Sequence, residues 1–590
     1  MIVLGLIDSK PSAAALMIDN KIMAAVAEER LCRMKLASGL PRESISYVMA
    51  AAGVTPADID LVAIAQRVCV FEPEPIPWSG WFDGQEILKT YRFDNLSSML
   101  APMLGRFPLI WQAHHQFKKL RSRERIREMP RLLEQAYGIK APVNYYDHHY
   151  CHATSAYYNS GFEQALVVTL DGGGDGRSGS VYVGENGRLR QLANVDSFNS
   201  LGNFYSYITE LCGFRAERDE GKITGLAAVG KPIYADILRQ FIHYREPGQI
   251  RYRVPMYYRS AIRLLAERLP ADFDRADLAA SVQFILEEIG TQFVHYWLRQ
   301  TGLRNLAVAG GVFANVKFNQ RVHELAEVEN IFIFPAMDDS GLCVGSALAA
   351  FVEQPDVDTR QLIRPLTNVY LGNSYSEKEI EAVVKAADCQ AQYLPNIHKT
   401  IAQLLADGRV VARFTGAMEY GPRALGHRSI LYQTTDLSVN DWLNASLKRT
   451  EFMPFAPATL AECAASRYLG VDGAADPARF MTITFNCTEQ MKRESPGVVH
   501  VDGTARPQLV DAKTAPDFYK ILSAYYQLTG IPSLINTSFN MHGEPIVCSP
   551  ADALRSFQAG NLDFLAIGNW LVMHPSLTEE NQITAVTMQT

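Results

Sequence analysis

Tyr146-Asp147-His148-His149-Tyr150-Cys151-His152-Ala153, followed after a short apolar segment by Ala165-Leu166-Val167-Val168-Thr169-Leu170-Asp171-Gly172-Gly173-Gly174-Asp175-Gly176, is the stretch around which the sequence is organised. His148 and His152 stand four apart, so a helix over 149–158 projects both imidazoles from one face, about one turn apart. That is the spacing of a metal-ligand pair. Residues 167–170 are apolar and largely β-branched and end in an aspartate and three glycines. They predict a buried strand that delivers the Asp171 carboxylate into a loop free of side chains. Two neutral imidazoles and a carboxylate make a mixed nitrogen and oxygen donor set for a divalent metal. The competing reading, a histidine pair that caps a helix or packs in a core, loses ground because the Asp-Gly-Gly-Gly strand end stands beside it. His149, on the neighbouring helix face, reads as a residue behind the ligands or at the surface.

Outward from this stretch, 590 residues are too many for one core and indicate several structural units. Hydrophobic residues make up 48% and charged residues 20%, the balance of an ordinary globular protein. A net charge of -7 argues against a general nucleic-acid binder. The nine cysteines are scattered and include no Cys-x-x-Cys, which suits a reducing cytoplasm and indicates neither a zinc ribbon nor a disulfide framework. No apolar run reaches the roughly 18 residues needed to span a bilayer, so no membrane partner is expected. Residues 1–6 are apolar but lack a basic leader and meet Asp8 at once, and so read as a strand. The basic amphipathic run 111–137, with Lys118 and Arg127 among its charges, reads as a solvated face.

Residues 2–7, 13–18 and 22–27 read as three strands, the last two joined through Asp19-Asn20, which tolerate a tight hairpin. The loop Asp8-Ser9-Lys10-Pro11-Ser12 between the first two is small and sharply turned and could hold a phosphate. The same order of strand, polar loop, strand, Asn-containing turn and strand recurs over 165–192, which predicts an internal duplication. Two such halves form the layout of the actin, hexokinase and Hsp70 ATPases, in which a nucleotide lies between the halves. Glu220-Gly221-Lys222-Ile223-Thr224-Gly225 opens the backbone beside a lysine, as phosphate approach requires, although the pattern is weak alone. A strand, the pair Gly310-Gly311 and a helix start carrying Asn315 place N–H groups where an anion or nucleotide can sit. After the strand at 330–334, Asp338-Asp339 brings a second strand-end carboxylate, expected from the other half of the duplicated fold. It can close the metal site with Asp171 or cap the following helix, and two adjacent aspartates can do both.

A linker rich in Pro, Asp and Thr over 353–368 marks a boundary, giving domains at 1–360 and 369–590. In the second, Glu419, Arg423 and Arg428 lie with three glycines in a loop after the strand 409–414. This is a candidate site for a highly anionic substrate, because arginine makes bidentate contacts to phosphate or carboxylate. Lys448 and Arg449 add positive charge before Pro454-Phe455-Ala456-Pro457. Asn536-Thr537-Ser538-Phe539-Asn540 ends a strand with amides and hydroxyls suited to reading a planar carbamoyl group. Solvated surface turns are the alternative for both stretches.

These residues together resemble the carbamoyltransferases of antibiotic and nodulation-factor biosynthesis, of the tobramycin carbamoyltransferase type, over nearly the whole chain. The most specific motifs are Gly421-Pro-Arg-Ala-Leu-Gly426 with Arg428-Ser429-Ile430, and Asn536-Thr-Ser-Phe-Asn540 with Gly543-Glu544-Pro545. The resemblance implies an actin-like (ASKHA) N-terminal domain holding a divalent metal, iron first and zinc or manganese as alternatives, and a nucleotide. It implies a YrdC-like C-terminal domain where carbamoyl phosphate and ATP, with magnesium, give carbamoyl-adenylate. The acceptor is then a hydroxyl of a small natural product, and a homodimer is compatible. By motif position His148, His152 and Asp171 match the metal ligands, and Asp339 fits better than Asp338 as the fourth. Lys222, Gly225, Gly310, Gly311 and Asn315 fall to the nucleotide, Glu419, Arg428, Asn536, Ser538 and Asn540 to substrate, and Arg423 and Lys448 to phosphate charge. Lys10, a catalytic candidate, stands where the family carries His-Asp, an amine in place of a His that acts as acid/base or nucleotide contact, and Thr450-Glu451-Phe452-Met453 stands where it carries further cations. Those departures keep two other readings open: transfer to an amine or another nucleophile, and a non-catalytic, actin-like ATP-binding protein. Trp78, Trp81 and Phe82 hint at a semi-apolar acceptor surface.

Overall fold

The computed structural model describes residues 1–69, 72–78, 80–81, 122–387, 389–448 and 455–577. Phe82, Trp111, Lys118 and the segment holding Arg449, Thr450 and Met453 lie outside them. The chain is a mixed α/β protein of two compact units, Met1–Glu28 with Leu36–Leu366, and Glu29–Lys35 with Thr367–Thr590. The expected split at 1–360 and 369–590 treated each domain as one continuous stretch. Residues 29–35 instead belong with the second unit, where Arg33 donates to the carbonyls of Ile546 at 2.6 Å and Pro545 at 2.9 Å.

The first unit holds two five-stranded sheets of one topology. In the first, β1 (Ile2–Ile7), β2 (Ala13–Ile18) and β3 (Lys21–Ala27) form an antiparallel meander. Strands β4 (Leu61–Ala65) and β5 (Val143–Tyr146) then add in parallel on the other side of β1, for the order β3-β2-β1-β4-β5. In the second, β6 (Gln164–Gly174), β7 (Arg177–Glu185) and β8 (Arg188–Asp196) are the meander, and β9 (Asn305–Ala309) and β10 (Asn330–Ile333) are the parallel additions. Strands β1 and β4 and the middles of β6 (165–168) and β9 (306–309) are buried apolar runs rather than alternating ones, because both of their faces are covered.

Two helices supply that cover. Helix α1 (His148–Ser160) packs on β6 and β9, whereas α2 (Leu342–Val352) packs on β1, β2 and β4 and against α1. Each helix therefore lies on the sheet formed at the other end of the unit's sequence, which closes one core from both halves. All residues of α2 except its last are buried, so its sequence is apolar and small-residued around the whole circumference. No helix among the described residues is long and apolar enough to cross a membrane.

One feature of this core departs from the sequence reading. The helix α3 (Arg123–Tyr137) was expected to show its charges to water, yet Arg125 is fully buried. Its Nε and Nη2 donate to Asp8, at the end of β1, at 2.6 and 2.5 Å, and Nη1 donates to the Gln66 carbonyl after β4 at 2.9 Å. Burial alone would lower the guanidinium pKa, and the Asp8 carboxylate more than reverses this. Helical periodicity identifies a polar position but not whether a strand-end carboxylate waits there.

The second unit is built on one eight-stranded mixed sheet. Its strands are β11 (Ala391–Tyr393), β12 (Val411–Phe414), β13 (Arg428–Gln433), β14 (Ala456–Leu460), β15 (Gln508–Val510), β16 (Ser533–Ser538), β17 (Phe564–Ile567) and β18 (Trp570–Met573), in the order β11-β18-β17-β12-β13-β16-β14-β15. Helices α4 (Ile397–Ala406) and α5 (Pro516–Thr529) pack against each other on it, burying Ile401, Leu405, Phe518, Ile521 and Leu522. Apart from the β17–β18 hairpin and the nearby β12–β13 pair, strand neighbours here are far apart in sequence, so most of the pairing is set by the whole sheet.

Asp8→Leu or Arg125→Met alone leaves one uncompensated buried charge and should destabilise the first unit by about 3–5 kcal/mol, while the double replacement recovers most of the loss. Hydrogen exchange of the β1 and β4 amides measures this. Single and double variants with equal protection would show that the pair does not hold these strands.

Candidate active site: a four-donor cluster and a paired-arginine cavity

Helix α1 begins one residue after Asp147, whose side chain accepts the Tyr150 N–H at 3.0 Å. Asp175, in the turn between β6 and β7, accepts the His148 N–H at 2.9 Å and those of Arg67 and Val68 at 2.9 and 2.7 Å. Two carboxylates thus satisfy two of the free N–H groups of the first helical turn, and one of them ties that turn to the chain after β4. His148 and His152 project from this turn with ring centroids 4.9 Å apart. Asp171 reaches them from β6. The approach is tight: a Cβ on Gly174 would stand 2.2 Å from the His148 ring, so only glycine fits there.

His148 Nε2 lies 2.6 Å from Asp171 Oδ2, and His152 Nε2 lies 3.5 Å from the same oxygen. Asp339 Oδ1 stands 3.7 and 3.4 Å from the two Nε2 atoms. Donor atoms of all four residues fall within 4.8 Å of one another, with Asp339 alone partly exposed, its side chain at 27%. Asp338 instead caps the turn, accepting the Ser340 N–H at 3.0 Å. Asp339 was expected from the opposite half of the duplicated fold; it follows β10, in the same sheet as Asp171. The two parallel strands β6 and β10 flank β9 and deliver both carboxylates at one sheet edge.

The cluster fits a divalent cation by its own chemistry. His152 Nε2 and Asp171 Oδ1 are buried without a hydrogen-bond partner, in a place where such atoms are normally satisfied. Two neutral imidazoles and two carboxylates balance a charge of two. Burial alone would lower the His148 pKa, but Asp339 and Asp171 lift it to about 10, so these carboxylates draw in positive charge, as a proton or as a metal. His149 is not a surface residue. It is fully buried, with Nδ1 2.9 Å from Thr169 Oγ1 and Nε2 3.4 Å from Asp171 Oδ1, and burial pushes it down to about 4. It backs the Asp171 carboxylate as a neutral ring.

Of the residues assigned to a nucleotide, Lys222 and Gly225 lie on the helix α6 (Glu220–Ala227), not in an open loop, and Lys222 Nζ is 3.3 Å from Asp219. Gly310 takes φ +106° where a Cβ would meet the Leu170 carbonyl at 2.2 Å, which accounts for it as a turn; Gly311 faces open space. Asn315, expected on a ligand, spends its amide inside the protein. It accepts the Phe318 N–H at 3.0 Å as a helix cap and exchanges hydrogen bonds of 2.7 and 3.1 Å with Gln283. Lys10 forms an ion pair with Glu217.

In the second unit a cavity of about 260 Å³ is lined by Arg423, Arg506, Asn536, Ser538, Asn540 and His542, among others. Arg506 was missed in the sequence, where a lone arginine before Pro507 carries no motif. Burial, then the charge of Arg423, drives its pKa well down, and no carboxylate pairs with it among the described residues. Two guanidinium groups lining one cavity are a donor set that suits an anion. Asn536 Nδ2 donates to Gln508 Oε1 at 2.7 Å and the Ala424 carbonyl at 3.2 Å, leaving its buried Oδ1 unpaired.

Glu419 and Arg428 were assigned to substrate, and their geometry is that of a brace. Glu419 Oε1 accepts the N–H groups of Leu425, His427 and Arg428 at 2.7, 2.8 and 3.2 Å. Arg428 is fully buried 3.7 Å from the Phe414 ring centroid and donates to the carbonyls of Thr415, Gly416 and Asn373. Both residues hold the loop that presents Arg423. Lys448 is exposed in a turn at φ +56° and is not among the residues lining the cavity.

Comparison with known proteins bears on both sites. Family models described as the carbamoyltransferase N-terminus and C-terminus match residues 130–348 and 402–574. A nodulation protein, NolNO, of Sinorhizobium fredii is 32% identical over 96% of this chain and 80% of its own length. An uncharacterized protein of Synechocystis sp. is 30% identical over 97% of this chain and 96% of its own. The nodulation protein NolO of Bradyrhizobium diazoefficiens is 35% identical over 72% of this chain and 78% of its own. The two models lie in order along the chain, one spanning the four-donor cluster and the other the paired arginines, and on that footing the chain belongs to the carbamoyltransferase family and is a transferase.

Proposed function

We propose that this carbamoyltransferase is ATP-dependent, that it forms carbamoyl-adenylate from carbamoyl phosphate and ATP in the second unit, and that it transfers the carbamoyl group to a hydroxyl of a small natural product at the four-donor cluster. In this reading the first unit is an actin-like domain and the second a YrdC-like domain. The observation that carries it is the division of labour between two sites of opposite character. One gathers carboxylates and imidazoles around a place for a cation, and the other pairs arginines around a place for an anion.

At the cavity, Arg423 and Arg506 hold phosphate oxygens while Asn536 and Ser538 fix the planar carbamoyl amide. Atom balance sets the products: carbamoyl phosphate, ATP and water give carbamoyl-adenylate, inorganic phosphate and pyrophosphate. The acceptor hydroxyl oxygen then bonds to the carbamoyl carbon, the bond to AMP breaks, and the hydroxyl proton passes to solvent. Adenylation matters because AMP is a good leaving group. At the cluster, His148, His152, Asp171 and Asp339 would hold a divalent ion, for which iron is our assignment with zinc or manganese as alternatives. Bound there, it would polarise the carbonyl and offset charge on the departing phosphate.

Incubation with carbamoyl phosphate, ATP and magnesium should release pyrophosphate and yield carbamoyl-adenylate by mass spectrometry; absence of both would overturn the reading. His148→Ala should abolish transfer to an acceptor and leave adenylate formation intact. Arg423→Ala should slow adenylate formation by about 10²-fold. Loss of adenylate formation in His148→Ala, or unimpaired adenylate formation in Arg423→Ala, would sink the assignment of separate steps to the two units.

Dialysis against a chelator followed by titration with Fe(II), Zn(II) or Mn(II) should show stoichiometric uptake. Asp339→Asn and His152→Ala should each weaken uptake by about tenfold or more. Calorimetry that finds the variants equal to the parent protein would remove the cluster from metal binding.

A further inference from the structure

Beside the four-donor cluster, and sharing none of its residues, the first unit holds a site with the chemistry of an ammonium receptor. Lys10 Nζ, from the turn between β1 and β2, lies 3.9 Å from the centroid of the Trp78 ring and forms an ion pair with Glu217. An aromatic face on one side and a carboxylate on the other is the arrangement that holds alkylammonium groups. The carboxylate is fixed in place. Glu217 is held in the left-handed region at φ +59°, its N–H donates to Glu220 Oε1 at 2.5 Å, and the same Glu220 oxygen accepts the Ser206 hydroxyl at 2.6 Å.

Trp78 Nε1 is buried with no hydrogen-bond partner among the described residues, so what the indole offers to a ligand is its face. The site is open to solvent, with the Lys10 and Glu217 side chains 16% and 29% exposed. It also borders the cluster. Glu217 Oε1 stands 3.8 Å from the point a Cβ on Gly172 would occupy, and Gly172 directly follows Asp171.

We infer that Trp78 and Glu217 form an ammonium-binding cage at the wall of the four-donor cluster, and that Lys10 fills it as a tethered cation so that no free ammonium group is admitted there. The consequence is selectivity. With the Glu217 carboxylate and the Trp78 face both engaged by Lys10, an amine passing Gly172 finds neither to bind, whereas neutral and anionic groups need neither. The cage stands independently of the transfer reading, because it is defined by binding alone.

The test is titration of full-length Lys10→Ala with butylammonium chloride, against sodium chloride at equal ionic strength, read by tryptophan fluorescence and calorimetry. The variant should bind butylammonium about tenfold or more tightly than the parent protein. Adding Glu217→Gln to Lys10→Ala should return binding to the parent level. A folded Lys10→Ala that binds no better than the parent protein overturns the inference, as does a parent protein that already binds butylammonium as tightly. A second measurement needs no truncation of Lys10. Reductive methylation of the parent protein, mapped by mass spectrometry, should modify Lys10 more slowly than the exposed lysines, and Glu217→Gln should accelerate it. An unchanged rate in that variant would also overturn the cage.

Discussion

Like charge held together out of water is the constraint on which this structure turns. Asp171 and Asp339 are brought within reach of the same two imidazole nitrogens, with three of the four side chains almost wholly buried. Carboxylates in such a place need compensating positive charge. Much of the surrounding architecture keeps them there. Asp147 and Asp175 anchor the first turn of α1, glycine at 174 lets the His148 ring approach β6, and His149 backs Asp171 from the far side.

The second unit states the same constraint with the sign reversed. Arg423 and Arg506 line one cavity, and the loop that carries Arg423 is braced from behind. The brace is itself a charge pair by composition, Glu419 and Arg428, but the two do not neutralise each other side chain to side chain. One collects N–H groups and the other collects carbonyls. Buried charges that each make several hydrogen bonds to backbone stiffen the loop that carries Arg423.

Several roles changed between sequence and structure for one reason. Asn315, Arg428 and Glu419 are polar residues beside glycines, and a motif cannot distinguish a side chain aimed at a ligand from one aimed at the loop's own backbone. Arg125 shows the converse. Its place in a basic amphipathic run suggests solvent, and only the arrival of Asp8 at the end of β1 turns it into a buried partner. Arg506 had no local signal at all, because its significance lies in its distance from Arg423 and not in its neighbours along the chain.

The meanders were legible because apolar runs, the Asp19-Asn20 and Asn186-Gly187 turns and their recurrence are local properties of the chain. So were His148 and His152 as a pair, since helical geometry alone sets four residues to one turn, and Asp171, since a strand that ends in glycines exposes its last carboxylate. That the second aspartate comes from the same sheet as Asp171 was decided only by β10 pairing beside β9 in parallel, a long-range contact that no window of sequence contains. The same holds for the fate of each charge: side-chain chemistry is written in the sequence, but whether that charge faces a ligand, a backbone or another charge depends on what the fold brings within a few ångströms of it.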